Sequence, residues 1–390
     1  MNRMQAQRVI ESLRKGIPPD GCVREFTVGR NDEIKGLRDQ LNKSASNALL
    51  LNANYGTGKT HLLRFVREEA LTQNYAVSLV TVDSGSGIRF NRMDQIFGAI
   101  CRNIEVPGGN TSKGIRSFFN LLETRINERD EEFWDELSNN GTWDSSEQLA
   151  APALFVAIRA WVTGNSGVAD LVEDWLSQPD EYPQRRLYSD LVRRLGRYFE
   201  DPREEWEFYS DNVFRFRTQA YAQSWAALHD LHNLARAAGL KGLILLFDEF
   251  EDVITNLRNI SYEEKAFWNL FYFYAGKRFQ GKTFFAVTPE FVEKCKVRLL
   301  DKERWGFDLS RFDKLPKFEM SPLSQRSLCA LTKKIVHVHG LAYDWDPRSL
   351  VNGDGLEAMV RVASSTQVMD RTRHTITRIV EHLDDTLLTE

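Results

Sequence analysis

The sequence predicts an α/β fold in which a parallel sheet is interrupted by a large helical insertion and followed by a C-terminal helical lid. Four short apolar runs, at 48–52, 76–82, 242–247 and 283–287, have the length of buried strands. Segments with helical spacing of apolar residues alternate with these runs, and this alternation is typical of a parallel sheet. Between the second and third runs the helical spacing is almost continuous and aromatic residues are frequent, which predicts the insertion.

The individual elements follow from local patterns. Apolar residues recur at helical spacing over six segments, and each segment predicts a helix: 3–15, 32–43, 59–71, 324–339, 354–363 and 370–388. The predicted domain boundaries are 1–91 for the N-terminal part of the core, 92–238 for the insertion, 239–321 for the C-terminal part of the core, and 322–390 for the lid.

The composition is that of a soluble globular protein, with 42% hydrophobic and 27% charged residues and a net charge of −4. The four cysteines are scattered without CxxC or Cys/His pairing, which argues against a zinc site or a disulfide framework. Apolar runs stay short of the roughly 18 residues that a membrane helix requires. We therefore expect a cytoplasmic protein that does not enter a membrane.

A glycine-containing loop follows the first predicted strand. It contains Gly56, Gly58, Lys59 and Thr60, and Ala53 stands where the P-loop pattern has its first glycine. Between a strand and a helix, such a loop cradles phosphates with backbone N–H groups, while its lysine reaches the β/γ-phosphates and its threonine holds Mg²⁺. The sequence therefore predicts binding of ATP with Mg²⁺. The predicted contacts in this loop are Asn54, Tyr55, Gly56, Thr57, Gly58, Lys59, Thr60 and His61.

Acidic and polar residues end the third and fourth predicted strands. Asp248 and Glu249 follow the apolar run 243–247; we expect Asp248 to associate with Mg²⁺ and Glu249 to deprotonate the attacking water. Thr288 follows the run 283–287 and has two interpretations. It could contact the γ-phosphate, or its hydroxyl could cap a turn before Pro289.

Arginines can stabilise the charge that develops on the γ-phosphoryl group, from the same chain or a neighbouring one. Candidates after the fourth predicted strand are Arg298, Arg304 and Arg311, and Arg371 and Arg373 begin the last predicted helix. Arg311 and Arg373 are the two that we predict to take part in catalysis.

With these motifs, the chain resembles the AAA+ superfamily, near its origin-recognition and STAND branches. The resemblance rests on the segment 26–34 (FTVGRNDEI), the Asp248–Glu249 pair and the helical tail. It implies that Val28, Gly29 and Arg30 lie near the adenine. Further segments are similar to the ATP-binding family associated with BREX and related bacterial anti-phage systems: 8–19, 55–63, 234–243, 248–251 and 288–290. That resemblance implies an ATPase component of a multi-gene defence system, and it matches Arg373 to an arginine at the start of the last lid helix.

Three functional hypotheses remain open from the sequence. The chain could be a motor or switch ATPase in a defence complex, a DNA-binding loader that oligomerises on DNA with ATP, or a non-hydrolysing scaffold for partner proteins. A basic segment at 185–197 could contact DNA phosphates or form a solvated helix face. The expected partners are other defence-system proteins and further copies of this chain in a homo- or hetero-oligomer, and DNA is a candidate partner.

Overall fold

The structure of the protein is a computed structural model. It describes the following residues: 1–43, 48–108, 113–129, 149–163, 166–180, 218–257, 259–347, 354–364 and 371–389, with the isolated residues Arg193, Arg203, Phe216 and Leu350. The predicted basic segment 185–197 lies outside them apart from Arg193, so the interpretation of that segment stays a prediction.

The described part of the chain forms a mixed α/β structure. In chain order the elements before the insertion are α1 (Arg3–Arg14), α2 (Val23–Phe26), α3 (Asn31–Asn42), β1 (Ala48–Asn52), α4 (Lys59–Thr72) and β2 (Ala76–Thr81). The next are α5 (Met93–Asn103), β3 (Ile104–Glu105), α6 (Ile115–Arg129), α7 (Pro152–Thr163), α8 (Ser166–Ser177) and α9 (Thr218–Ala237). The second part of the core contains β4 (Leu243–Asp248), α10 (Val253–Asn256), α11 (Ile260–Ala275), β5 (Lys282–Val287), α12 (Phe291–Asp301), α13 (Ser310–Asp313) and β6 (Lys317–Glu319). The tail contains α14 (Gln325–Tyr343), α15 (Asp354–Ala363) and α16 (Arg371–Thr389).

In the described residues, six strands form one sheet in the order β3-β2-β4-β5-β1-β6, and every pair is parallel except β2 with β3. The four predicted strands are confirmed as β1, β2, β4 and β5. The sequence analysis missed β3 and β6, which have only two and three residues, too few for a periodic pattern. The strands β1, β5 and β4 are parallel neighbours. The residues that follow these three strands therefore lie together at the carboxyl end of the sheet.

Alternating strand residues face two hydrophobic layers, as the two-residue period of a strand requires. Leu49 and Leu51 pack with α3 and α4 on one face. Leu50 and Phe247 belong to the cluster on the other face, together with residues of α5 to α9 and α11. The described helices of the predicted insertion are therefore part of the same hydrophobic core as the sheet.

The first helix packs against the tail. Apolar residues of α1 share one cluster with residues of α14 and α16. The Arg14 guanidinium donates two hydrogen bonds, of 2.9 and 2.8 Å, to the carboxylate of Asp384 on α16, and His339 on α14 contacts the same carboxylate at 3.0 Å. The predicted domain 1–91 thus begins with a helix whose packing partners lie in the predicted lid. Among the described helices none is both long and apolar enough to cross a bilayer.

Candidate nucleotide site

The glycine loop joins the carboxyl end of β1 to the first residue of α4. Gly56 and Gly58 have φ values of 69° and 102°, a region of backbone conformation that residues with a Cβ adopt only with strain. Gly58 is the N-cap of α4, and within the described part of the chain no side chain caps that end. The N–H groups of the first helical turn are therefore left for a ligand, and the helix dipole favours an anionic one.

Lys59 is buried at the centre of this loop. Its ammonium donates to the carbonyl oxygen of Ala53 at 3.2 Å and forms an ion pair of 2.8 Å with Oε1 of Glu251. It also lies 4.6 Å from the centre of the Tyr55 ring. Tyr55 itself is 46% exposed, so its ring partly covers the lysine from the solvent side.

The two acids that end β4 are held in different environments. Asp248 is buried, and its carboxylate accepts a hydrogen bond of 3.0 Å from the backbone N–H of Glu249. Burial raises the pKa of Asp248, while the Thr60 hydrogen bond lowers it. Glu249 adopts a left-handed backbone conformation with φ of 53°. Partial burial, together with the charges of Asp248 and Glu251, raises the pKa of Glu249 to about 7.

Glu251 had no predicted role, although it stands in the Asp248–Glu251 segment that carried the resemblance. Its side chain is buried, with Oε1 on Lys59 and with Oε2 making no hydrogen bond within the described residues. A buried carboxylate oxygen without a partner is costly. The signal that could have identified Glu251 is its distance of three residues from Asp248 on a turn that brings it back towards the loop.

Arg30 contacts the backbone of the glycine loop. One of its terminal nitrogens donates to the Thr57 carbonyl oxygen at 2.7 Å, and the other donates to Glu33 at 2.8 Å and to the Ser321 carbonyl oxygen. Arg30 is buried, so these bonds connect the loop to the start of the tail.

His61 shares a hydrogen bond of 2.9 Å with the Thr27 hydroxyl. Burial lowers the pKa of His61 to about 4, and the charges of Arg30 and Arg64 contribute to this shift. His61 is therefore neutral at physiological pH.

A cavity of about 360 Å³ opens beside the loop. Its walls include residues 55–61, Val28, Arg30, Glu249 and Arg373 from the predicted set. The sequence analysis did not predict its apolar wall, which comes from α1, the turn after it, α2 and the tail: Leu13, Ile17, Pro18, Phe26, Leu331 and Ile376. An apolar wall next to the polar glycine loop suits a ligand with a flat base at one end and phosphates at the other.

Arg373, at the start of α16, extends across Gly16. A Cβ placed on Gly16 would lie 2.7 Å from both Cγ and Nε of Arg373, so the absence of a side chain at Gly16 allows this close contact. The first helix and the last helix therefore meet at the cavity, which explains why residues near 16 belong to the site.

Five other predicted residues are not among the described residues that line this cavity: Asn54, Gly29, Asp248, Thr288 and Arg311. Asn54 belongs to the loop, where its carbonyl oxygen accepts from the Thr57 hydroxyl at 2.7 Å. Gly29 faces Ser327 on α14. Thr288 is buried directly after β5, and its carbonyl oxygen accepts from Phe291. Arg311 is exposed and lies 4.7 Å from the centre of the Trp268 ring.

Oxygen donors suited to a divalent cation converge beside the loop. The Thr60 hydroxyl lies near enough to the Asp248 carboxylate to lower its pKa, and Mg²⁺ in nucleotide sites is bound by one or two such groups with substrate phosphates and water. The set of donors therefore fits Mg²⁺.

Comparison with known proteins agrees with the predicted resemblance. No curated protein and no solved structure matches the chain. The N-terminal part, residues 1–152, matches the model of one protein family, and that stretch includes the segment 26–34, the glycine loop and β2. The family resemblance predicted from the sequence is thereby confirmed over these residues: they match the BREX system ATP-binding protein BrxC/D family.

Proposed function

We propose that the chain is an ATP-hydrolysing P-loop enzyme of the AAA+ type that serves as the motor or switch subunit of a bacterial anti-phage defence complex. The observation that supports this most strongly is that Glu249, from the acidic pair after β4, lines the same cavity as residues 55–61 of the glycine loop. The two segments come from opposite ends of the insertion. A phosphate-binding loop beside a carboxylate base is the arrangement that phosphoryl transfer requires.

The roles of the residues follow from their positions. The first-turn N–H groups of α4 and the Lys59 ammonium bind the phosphates, and the apolar wall around Phe26 and Ile376 takes the base. When bound at Thr60 and Asp248, Mg²⁺ would neutralise charge on the β/γ-phosphates. Glu249 lines the cavity and accepts the proton of the attacking water. Arg373 supplies positive charge from the tail.

The same geometry suggests how binding couples to movement. Lys59 has to exchange Glu251 for a phosphate, and Arg373 has to hold its position next to the nucleotide while α16 remains packed on α1. Binding would therefore favour one arrangement of the tail on the core, and hydrolysis would release it. Other defence-system proteins are the expected receivers of this change.

The test is ATP turnover and nucleotide binding by purified protein. We expect Lys59→Ala to lose binding, and Glu249→Gln to retain binding while turnover falls by about 10²-fold or more. Lys294→Ala serves as a control, because Lys294 is exposed on α12 and is not a wall residue of the cavity. Wild-type turnover that persists in Lys59→Ala would contradict the proposal. Tight binding with negligible turnover in the wild type would instead favour the non-hydrolysing scaffold.

A further inference from the structure

A second, larger cleft lies at the amino ends of the strands, opposite the end of the sheet that carries the glycine loop. Its volume is about 1020 Å³, and its walls include the first residues of two strands, Leu243 of β4 and Lys282 of β5. The glycine loop follows the last residue of β1. Because a parallel strand of six residues is about 20 Å long, the two sites are separated by roughly the thickness of the core.

The charges around this cleft all have one sign. Among the described residues that line it there are four cations, one histidine and no carboxylate: Lys43, Arg236, Lys241, Lys282 and His232. The lining of the cleft is therefore positive, whereas the chain as a whole has a net charge of −4. We call this group of residues the basic cleft.

The pKa values of two residues are shifted in the direction that a positive surrounding produces. His232 is buried, and its pKa is lowered to about 4 by that burial and by the charges of Arg236, His229 and Lys282. Burial and the charge of Lys43 lower the pKa of Lys282. In both cases the charges that lower the pKa come from neighbouring basic residues.

Neighbouring helix ends offset only part of this positive charge. Of the described helices, three end at the cleft, α3 at Asn42, α9 at Ala237 and α11 at Ala275, and each helix carboxyl end carries about half a negative charge. The total of about −1.5 is smaller in magnitude than the summed charge of Lys43, Arg236 and Lys241. A net positive charge therefore remains to attract an anion.

The wall that carries Lys241 is fixed by backbone contacts. The N–H of Lys241 donates to the Asn74 carbonyl oxygen at 2.8 Å, and the Asn74 side chain donates to the Gly239 carbonyl oxygen at 2.9 Å. The Lys241 ammonium lies 5.6 Å from the centre of the Tyr75 ring. Two turns from different parts of the chain are thus joined, which holds the lysine, the ring and the end of α9 in one arrangement.

We propose that the basic cleft binds the sugar-phosphate backbone of a nucleic acid. Its lining is mostly polar, which suits a charged ligand better than an apolar one. Its volume exceeds what a single phosphate group occupies, and its cations come from several separate segments, so it suits an extended chain of phosphates. The Arg236 guanidinium can bind a phosphate through two parallel hydrogen bonds, and the lysines act as point charges.

The experiment measures binding of a short labelled DNA duplex by fluorescence anisotropy between about 50 and 200 mM salt. Arg236→Glu/Lys241→Glu removes two exposed cations of the cleft. Arg8→Glu/Lys294→Glu is the matched control, since it changes the net charge equally at exposed positions outside the cleft. We expect the cleft variant to bind at least about tenfold more weakly and the slope of log K against log salt to fall by about two. The control should keep most of the affinity.

Two further measurements decide the class of ligand and the integrity of the variants. Poly-glutamate is added as a competitor, and we expect it to displace the duplex far less well than unlabelled DNA does. Thermal unfolding should give the same transition for both variants, because the substituted side chains are exposed. Absence of salt-dependent DNA binding, equal loss in cleft variant and control, or competition by poly-glutamate as effective as that by DNA would each overturn the proposal.

Discussion

The ammonium of Lys59 lies 2.8 Å from Oε1 of Glu251, and both side chains are buried. The two residues are 192 positions apart in the chain, so the pair forms only when the glycine loop and the turn after β4 are both in place. It occupies the lysine that a phosphate would contact. Breaking a buried ion pair by removing one partner is costly because a charge is left uncompensated.

Glu251→Gln tests this competition. We expect the ligand-free protein to lose about 3 kcal/mol of unfolding free energy, at the low end of the range for a broken buried pair because the amide oxygen can still accept from Lys59. ATP should bind more tightly than to the wild type, since its phosphates no longer compete with a carboxylate. Thermal unfolding with and without ATP measures both effects.

The control for this prediction is Glu290→Gln, which removes an exposed carboxylate near Tyr55 without touching the ion pair. It should change neither stability nor affinity. Weaker ATP binding by Glu251→Gln than by the wild type would show that Glu251 helps the nucleotide instead of competing with it.

The pH dependence of turnover should report Glu249. Its pKa is raised to about 7, so the carboxyl group is protonated below that pH and cannot accept a proton from water. We expect kcat/KM, which reports the free enzyme, to rise with pH through about 7 and then level off. Glu251→Gln should move the midpoint to lower pH, because the Glu251 charge contributes to the raised pKa. A midpoint that stays in place in this variant would contradict the electrostatic explanation.

Stability should show the same group with the opposite trend. Because the folded-state pKa of Glu249 lies above the usual value of 4.5, its contribution to stability is fully present below pH 4.5 and is lost as the pH rises through about 7. The Glu249→Gln variant has no such titration. Urea unfolding as a function of pH should therefore show the variant gaining stability relative to the wild type between these two values.

Arg373→Ala should weaken ATP binding by about tenfold or more, since a charged hydrogen bond contributes about 1.5–3 kcal/mol. The same helix offers a matched control in Arg378, which is exposed and does not line the cavity. Calorimetric titration of ATP measures the affinity of each variant, and only the Arg373 variant should bind more weakly than the wild type. Equal affinities would place Arg373 outside the binding machinery.

Gly29→Ala should loosen the contact between the core and the tail. A Cβ at this position would lie 2.0 Å from Oγ of Ser327, and the φ of 63° is unfavourable for alanine. We expect a loss of about 2–4 kcal/mol from backbone strain and overpacking together. Adding Ser327→Gly should recover the unfolding free energy lost to overpacking and leave the loss due to backbone strain. Urea unfolding of the single and double variants measures this coupling. Additive losses would show that the two residues do not touch.

The sequence by itself determined the local features of this protein. The apolar runs that became β1, β2, β4 and β5 were recognisable because a strand buried on both faces needs uninterrupted apolar residues. The glycine loop could be identified because positive φ values such as those of Gly56 and Gly58 favour glycine over residues with a Cβ. The two-residue β3 and the exposed β6 left no such pattern, since pairing with a neighbouring strand, and not their own composition, makes them strands.

Contacts between distant segments were decided only by the tertiary structure. The packing of α1 on α14 and α16, which places Leu13 and Ile17 in the nucleotide cavity, depends on apolar faces that could have packed against any complementary surface. The pairing of Lys59 with Glu251 depends on the sheet order, which brings the end of β4 within reach of the loop after β1. A local motif specifies its own backbone because the constraint acts between adjacent residues, whereas its charged partners are selected by a fold to which the whole chain contributes.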